Sequence, residues 1–192
     1  MSKIHLTALG LLNERPMHGY ELKQVVCERH LDQWADVNPN SVYKALQALQ
    51  GKGFIEGSEE TEGNNPPRTV FSLTPEGRQE LAKLVRHFLK ESSHPHDFWL
   101  GVAFVLRVMT KRELLATISQ RIDSMEQHQQ SHRKHLRKVL AENPDLPFNW
   151  LTLIKMGDSM MKTHIACLRD LRQATEACDQ PEHFKPEETN RI

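Results

Sequence analysis

Cysteine is scarce in this chain, and long apolar stretches are missing. Three cysteines occur in 192 residues, Cys27, Cys167 and Cys178, widely spaced and without a C-x-x-C pair. An odd, scattered set of this kind builds neither a disulfide framework nor a zinc site, and a reducing cytoplasm is its simplest home. The longest apolar run, residues 98–109, is about half a bilayer span and carries Arg107. It reads as a buried helix, and no membrane segment is expected. At the N-terminus Asn13, Glu14 and Arg15 interrupt the apolar residues too early for a signal peptide. There is also no glycine-rich phosphate loop, no nucleophile elbow and no cysteine beside a positioned base, so nothing points to an enzyme. No cofactor is implied.

Net charge is absent as well: 25 basic residues balance 25 acidic ones. That counts against nucleic-acid binding unless the charge is segregated locally, because phosphate attraction supplies most non-specific affinity. Eleven histidines invite a metal reading, with His128, His132 and His135 on one helical face and His164 three residues before Cys167. Two histidines four apart suit zinc, yet no carboxylate or cysteine completes the set locally, and no metal is expected. The remaining composition, 38% hydrophobic and 26% charged, is that of a packed globular chain with room for one large domain or two small ones.

What is present is a succession of helices broken by one hairpin. Ile4, Leu6, Leu9, Leu11 and Leu12 make an apolar first helix, closed at Pro16, which disfavours helix at Arg15. A second helix is expected over about residues 18–30, with Leu22, Val25 and Val26 inward. Asn38-Pro39-Asn40 carries cap chemistry, Asn38 or Asn40 supplying the acceptor. The helix it starts, roughly 39–51, buries Val42, Ala45, Leu46 and Leu49. Phe54-Ile55-Glu56 and Thr69-Val70-Phe71-Ser72-Leu73 read as two strands around a polar tip. Thr74-Pro75-Glu76-Gly77 then caps a fourth helix that carries Leu81, Leu84, Val85, Phe88 and Leu89. Three helices followed by a hairpin and a helix form a winged helix-turn-helix, assigned to residues 1–90.

Beyond a short linker at 91–96 the pattern changes to long helices. Leu115, Ile118, Ile122, Met125, Gln129, His132, Leu136 and Val139 step by three or four, a coiled-coil seam. Asn143-Pro144-Asp145-Leu146-Pro147 breaks it, and a last helix from about 148 to 178 folds back antiparallel. The fold class is therefore mainly α with a small β-hairpin: a winged helix plus a helical dimerisation domain over 97–179, then a polar tail over 180–192. The apolar faces exceed what one small domain covers. That predicts a homodimer through Ile4, Leu6, Leu9, Leu115, Ile118, Ile122, Ile154, Ile165 and Leu168.

The first 90 residues resemble the PadR family of bacterial transcription regulators. The resemblance rests on Leu9-Gly10-Leu11-Leu12, on Pro16-Met17-His18-Gly19-Tyr20-Glu21-Leu22, and on Asn38-Pro39-Asn40-Ser41-Val42-Tyr43-Lys44-Ala45-Leu46 followed by Gly53-Phe54-Ile55. It extends to Arg68-Thr69-Val70-Phe71-Ser72-Leu73-Thr74-Pro75-Glu76-Gly77, with Phe71 where a tyrosine is more usual. The C-terminal half is similar only in length and helical character, as in the longer subgroup. The resemblance implies a cytoplasmic homodimer on a palindromic operator of double-stranded DNA, usually a repressor, released by a small aromatic or phenolic effector.

In a helix-turn-helix the second helix of the motif enters the major groove by its N-terminal residues. Here it offers Asn38, Asn40, Ser41, Tyr43, Lys44 and Gln47. Asn and Gln suit adenine, Lys suits guanine or phosphate, and the resemblance gives Tyr43 a backbone contact. The wing tip adds Asn64, Asn65 and Arg68, with Glu59, Glu60 and Glu62 expected on the strand's outer side. His18 and Tyr20 open the second helix, where Tyr20 either meets phosphate or packs beneath the recognition helix. Phe98, Trp99, Phe104, Trp150 and Met161, at the domain junction, are candidate effector-pocket walls, or alternatively core; Trp99 is the candidate stacking contact. The competing function is a winged helix that binds protein instead of DNA, which the neutral charge favours.

Overall fold

The computed structural model describes residues 2–60, 68–91 and 94–186, and contacts divide it into two units, Met1–Met109 and Thr110–Ile192. In the first unit, helix α1 (Lys3–Glu14) is buried on all sides from Leu6 to Leu12. A helix apolar all round belongs at the centre of a core. It is packed by α4 (Val42–Gly51), α5 (Pro75–Lys90), α6 (Pro95–Ala103) and strand β3 (Arg68–Leu73). Its Gly10 is required by packing: the Phe104 ring lies 2.3 Å from where a Cβ would stand. Arg15 is extended, φ −164°, as the residue before a proline should be.

Strand β1 (Met17–His18) follows, and its pairing with β3 makes a three-stranded sheet in the order β1-β3-β2, β2 being Ile55–Glu60. Two residues are too few for any periodicity, so this strand has no signature in the sequence. Helix α2 (Gly19–Glu28) buries Leu22 and Val26. It stops short of the expected residue 30, because His30 turns left-handed at φ 52° and a separate turn of helix, α3 (Leu31–Trp34), begins. Asn38 is the cap: its side chain accepts the Asn40 backbone N–H at 2.9 Å and opens a 3-10 turn, Pro39–Ser41, that leads into α4. Val42, Ala45, Leu46 and Leu49 are buried as their spacing requires.

Residues 98–109 are not one buried helix. α6 ends at Ala103, and the chain turns through Arg107 at φ 61° while Val105, Val108 and Met109 point inward. The apolar run was therefore core chemistry without helical continuity. Among the described residues no helix is long and apolar enough to cross a membrane.

The second unit is an antiparallel pair, α7 (Lys111–Glu142) and α8 (Phe148–Ala177). Thr110 caps α7 by accepting the Glu113 N–H at 3.1 Å. Polar rungs fix the antiparallel register: Lys111 Nζ to the Glu176 carbonyl at 2.8 Å, Arg169 to Glu126 at 2.5 Å, and Arg133 Nε to Asp158 Oδ1 at 2.8 Å. Leu114, Ile118 and Ile122 are buried with Ile165 and Leu168 near one end. From residue 123 to 163 nothing is buried.

His164 lies in that buried layer, where desolvation first and the Arg121 charge second hold its imidazole below the ordinary histidine value of 6.5. The folded hairpin thus prefers neutral imidazole. Its contribution is complete above the unfolded value and is lost as pH falls toward the lowered one. Thermal unfolding of the hairpin should accordingly ease between about pH 7.5 and about pH 5.5, and His164→Gln should shrink that difference. An identical pH response in the variant would remove His164 as the cause.

Candidate nucleic-acid interface

The first unit carries an open cleft of about 630 Å³ lined by His18, Gly19, Tyr20, Tyr43, Arg68, Thr69 and Phe71. Three elements meet there for local reasons. The β1–β3 pairing, Met17 opposite Phe71 and His18 opposite Val70, carries the wing strand to the start of α2. Gly19 allows the recognition helix to close in: a Cβ there would stand 2.8 Å from Tyr43 Cε1. Tyr43 therefore lies over the first residue of α2, with 52% of its surface still exposed. Tyr20 is 67% exposed, so it does not pack beneath the recognition helix.

Among the described residues no carboxylate lines the cleft, although the chain as a whole is neutral. The nearest acid in sequence, Glu21, is paired with Arg15, and its second oxygen is 3.2 Å from His18 Nδ1. The Arg15 hydrogen bond holds the Glu21 carboxyl below its usual range. Glu14 is likewise consumed, by a two-pronged pair with Arg29 at 2.7 and 2.6 Å. What the cleft offers is a helix start, the three exposed hydroxyl residues Tyr20, Tyr43 and Thr69, and the Arg68 cation, a set suited to phosphate oxygens.

Beside it, Asn40, Tyr43, Lys44 and Gln47 are exposed along the leading part of the recognition helix, and Ser41 is half-buried. Asn38 is exposed, but its side-chain oxygen is occupied as the cap. The structure thus brings His18, Tyr20, Tyr43 and Arg68 into one cleft and sets Asn40, Lys44 and Gln47 on the neighbouring surface. Asn64, Asn65 and Glu62 lie outside the described residues. The expected separation of the wing glutamates from Arg68 holds only in part: the register sets Glu60 opposite Arg68 on the same face, and Glu59 opposite Thr69 on the other. Cross-strand partners share a face of the sheet, so hairpin register decided the matter. Sequence reasoning missed Gly19, Thr69 and Phe71 as cleft walls. Only the Gly19 position carried a signal, in the His-Gly-Tyr motif.

The residues expected to line an effector pocket divide between the units. Phe98 is fully buried in the first, edge-to-face with Trp99 at 5.5 Å, and Phe104 is buried on Gly10. Trp150 and Met161 belong to α8, Trp150 being exposed and Met161 half-buried. Of the residues expected at a dimer interface, Leu6 and Leu9 are wholly buried within the first unit. Ile118, Ile122, Ile165 and Leu168 are buried within the second, whereas Ile4, Leu115 and Ile154 remain half-exposed.

Comparison with known proteins bears on this arrangement. Residues 8–83 match the sequence profile of the family described as "Transcriptional regulator PadR-like family". The Bacillus subtilis (strain 168) protein described as "Negative transcriptional regulator PadR" is 27% identical over 106 residues, 55% of this chain; the match spans 58% of that curated relative's length. Among solved structures, Bacillus subtilis PadR in complex with operator DNA is 19% identical, with 91% of this chain and 99% of that one covered at a TM-score of 0.42. The same protein in complex with p-coumaric acid is 18% identical over the same shares, at a TM-score of 0.39. Over residues 8–83, its winged-helix part, this chain is thus similar to the PadR-like family of transcriptional regulators.

Proposed function

We propose that this chain is a sequence-specific DNA-binding repressor that works in the cytoplasm as a homodimer on a palindromic operator. The observation that carries the reading is the cleft of His18, Tyr20, Tyr43 and Arg68, without a carboxylate among its described lining residues, beside the exposed Asn40, Lys44 and Gln47. Phosphate contacts from the cleft, Lys44 and Arg68 set the register, and Asn40 and Gln47 read base edges. Asn64 and Asn65 at the wing tip are proposed to join them. Glu14 and Glu21, the acids before and after the cleft's first strand, are paired with Arg29 and Arg15, which lowers the negative charge facing a duplex on that side.

A dimer completes the reading, since a palindrome is read by two recognition helices roughly 34 Å apart. The support is the stripe Trp150, Leu153, Met156 and Met160, exposed along α8 where the two-helix unit has no buried residue. A second copy laid on it forms a four-helix arrangement with an apolar centre. Half-exposed Ile4, Leu115 and Ile154 are proposed to extend the contact. A small aromatic effector belongs to the same proposal, because p-coumaric acid is the compound bound by the Bacillus subtilis protein. Titrating it should quench emission from Trp99; no change would remove this effector and leave the DNA reading standing.

The test is binding of the purified full chain to duplex DNA across a salt series. Lys44→Ala and Arg68→Ala should each weaken binding about tenfold and lower the salt slope by about one. Wild-type protein with no duplex affinity at low salt refutes the function. Unchanged slopes in both variants refute the phosphate roles.

A further inference from the structure

We infer that Lys23 is a positioning residue that decides which base edge the recognition helix reads, by engaging the Asn40 amide oxygen with its ammonium so that donors dominate what Asn40 offers. The inference rests on the DNA-binding reading above and names its specificity. Lys23, half-buried on α2, places Nζ 3.0 Å from the Asn40 side chain. A lysine ammonium donates and never accepts, so the atom facing it is Asn40 Oδ1. The backbone of Asn40 is fixed separately, its N–H donating to Asn38 Oδ1 at 2.9 Å. Two side chains from different elements therefore hold one exposed residue at the tip of the recognition helix.

This changes the chemistry Asn40 offers. A free asparagine presents a donor and an acceptor side by side, the complement of adenine N6 and N7. With Oδ1 engaged, the carboxamide presents its N–H groups, and the ammonium beside it has two further hydrogens. The pair is a surface dominated by donors, its one remaining acceptor site, the second lone pair of Oδ1, lying against a cation. Guanine, with N7 and O6 both accepting in the major groove, complements it. The amino group of adenine N6 or cytosine N4 would have to share Oδ1 with the ammonium and sit beside its positive charge, a poorer match.

The experiment is selection of bound duplexes from a randomised library by the full-length chain, wild type against Lys23→Met and Lys23→Arg. Wild type should enrich guanine at one position in each half-site. Lys23→Met keeps the aliphatic stem, so its thermal unfolding should match wild type. Its preference at that position should move toward adenine by about tenfold, the span one bidentate pair commands. Lys23→Arg, also a pure donor, should keep guanine. In an Asn40→Ala background the Lys23→Met change should alter no base preference. The inference is overturned if Lys23→Met retains the wild-type preference, if it loses affinity uniformly as a plain phosphate contact would, or if it shifts preference without Asn40. A wild-type chain that enriches no sequence overturns the DNA-binding reading itself and this inference with it, an outcome distinct from the other three.

Discussion

Gly77→Ala should destabilise the winged-helix unit by about 3 kcal/mol, lowering its melting temperature by roughly 10 °C or more. A Cβ on Gly77 would stand 1.9 Å from the Phe54 carbonyl oxygen and 2.9 Å from its carbon, both backbone atoms. No rotamer relieves such a contact; the start of α5 has to move. It is poorly free to do so. The Gly77 N–H donates to Thr74 Oγ1 at 3.0 Å, and the Thr74 hydroxyl donates to the Gly53 carbonyl at 2.7 Å. The Thr74 backbone N–H donates to the same Phe54 carbonyl at 3.1 Å. Backing α5 away breaks this set and opens the core around Leu73 and Leu81. Gly51→Ala is the matched control, since a Cβ there meets nothing within 4 Å. It should be neutral or stabilise by up to about 0.5 kcal/mol. Thermal unfolding of the two variants checks the pair. A Gly77→Ala protein that melts with wild type would show that the helix start yields cheaply.

The second large effect is on assembly. Leu153→Glu combined with Met160→Glu should turn the proposed dimer into a monomer and weaken operator binding by about a hundredfold, because linked half-sites lose their effective concentration. The two side chains are 49% and 60% exposed on α8, so the hairpin's own buried layer of Ile118, Ile122, Ile165 and Leu168 is untouched. Carboxylates placed face to face across a two-fold axis carry both repulsion and desolvation. Sedimentation at micromolar protein distinguishes the outcomes. A double variant that remains dimeric would move the interface elsewhere, and a wild-type chain that is monomeric would end the two-fold reading.

Parts of this molecule were legible because they are settled within four residues. The Thr74 cap, the stop at Pro16, the Val42, Ala45, Leu46 and Leu49 stripe and the break after Glu142 all depend on neighbours along the chain. The expected single helix over 18–30 failed for the complementary reason. His30 at φ 52° is a local cost accepted so that Leu31 and Val37 reach the core. The apolar run at 98–109 misled because burial was read as helix, when Arg107 at φ 61° lets the chain turn and stay buried. Gly10 and Gly19 belonged to recognisable motifs, yet the motifs do not say that Phe104 and Tyr43 occupy the missing side chains' space.

Composition and periodicity alone established a winged helix followed by long paired helices, with capped ends and a polar recognition face. Such features follow from hydrogen bonds and apolar spacing inside single elements. Only the tertiary structure decided what that face presents. Lys23 and Asn40 are 17 residues apart, and Glu60 meets Arg68 across a hairpin. Contacts of that range depend on how elements pack and which strand register is adopted, quantities that no local pattern of residues encodes.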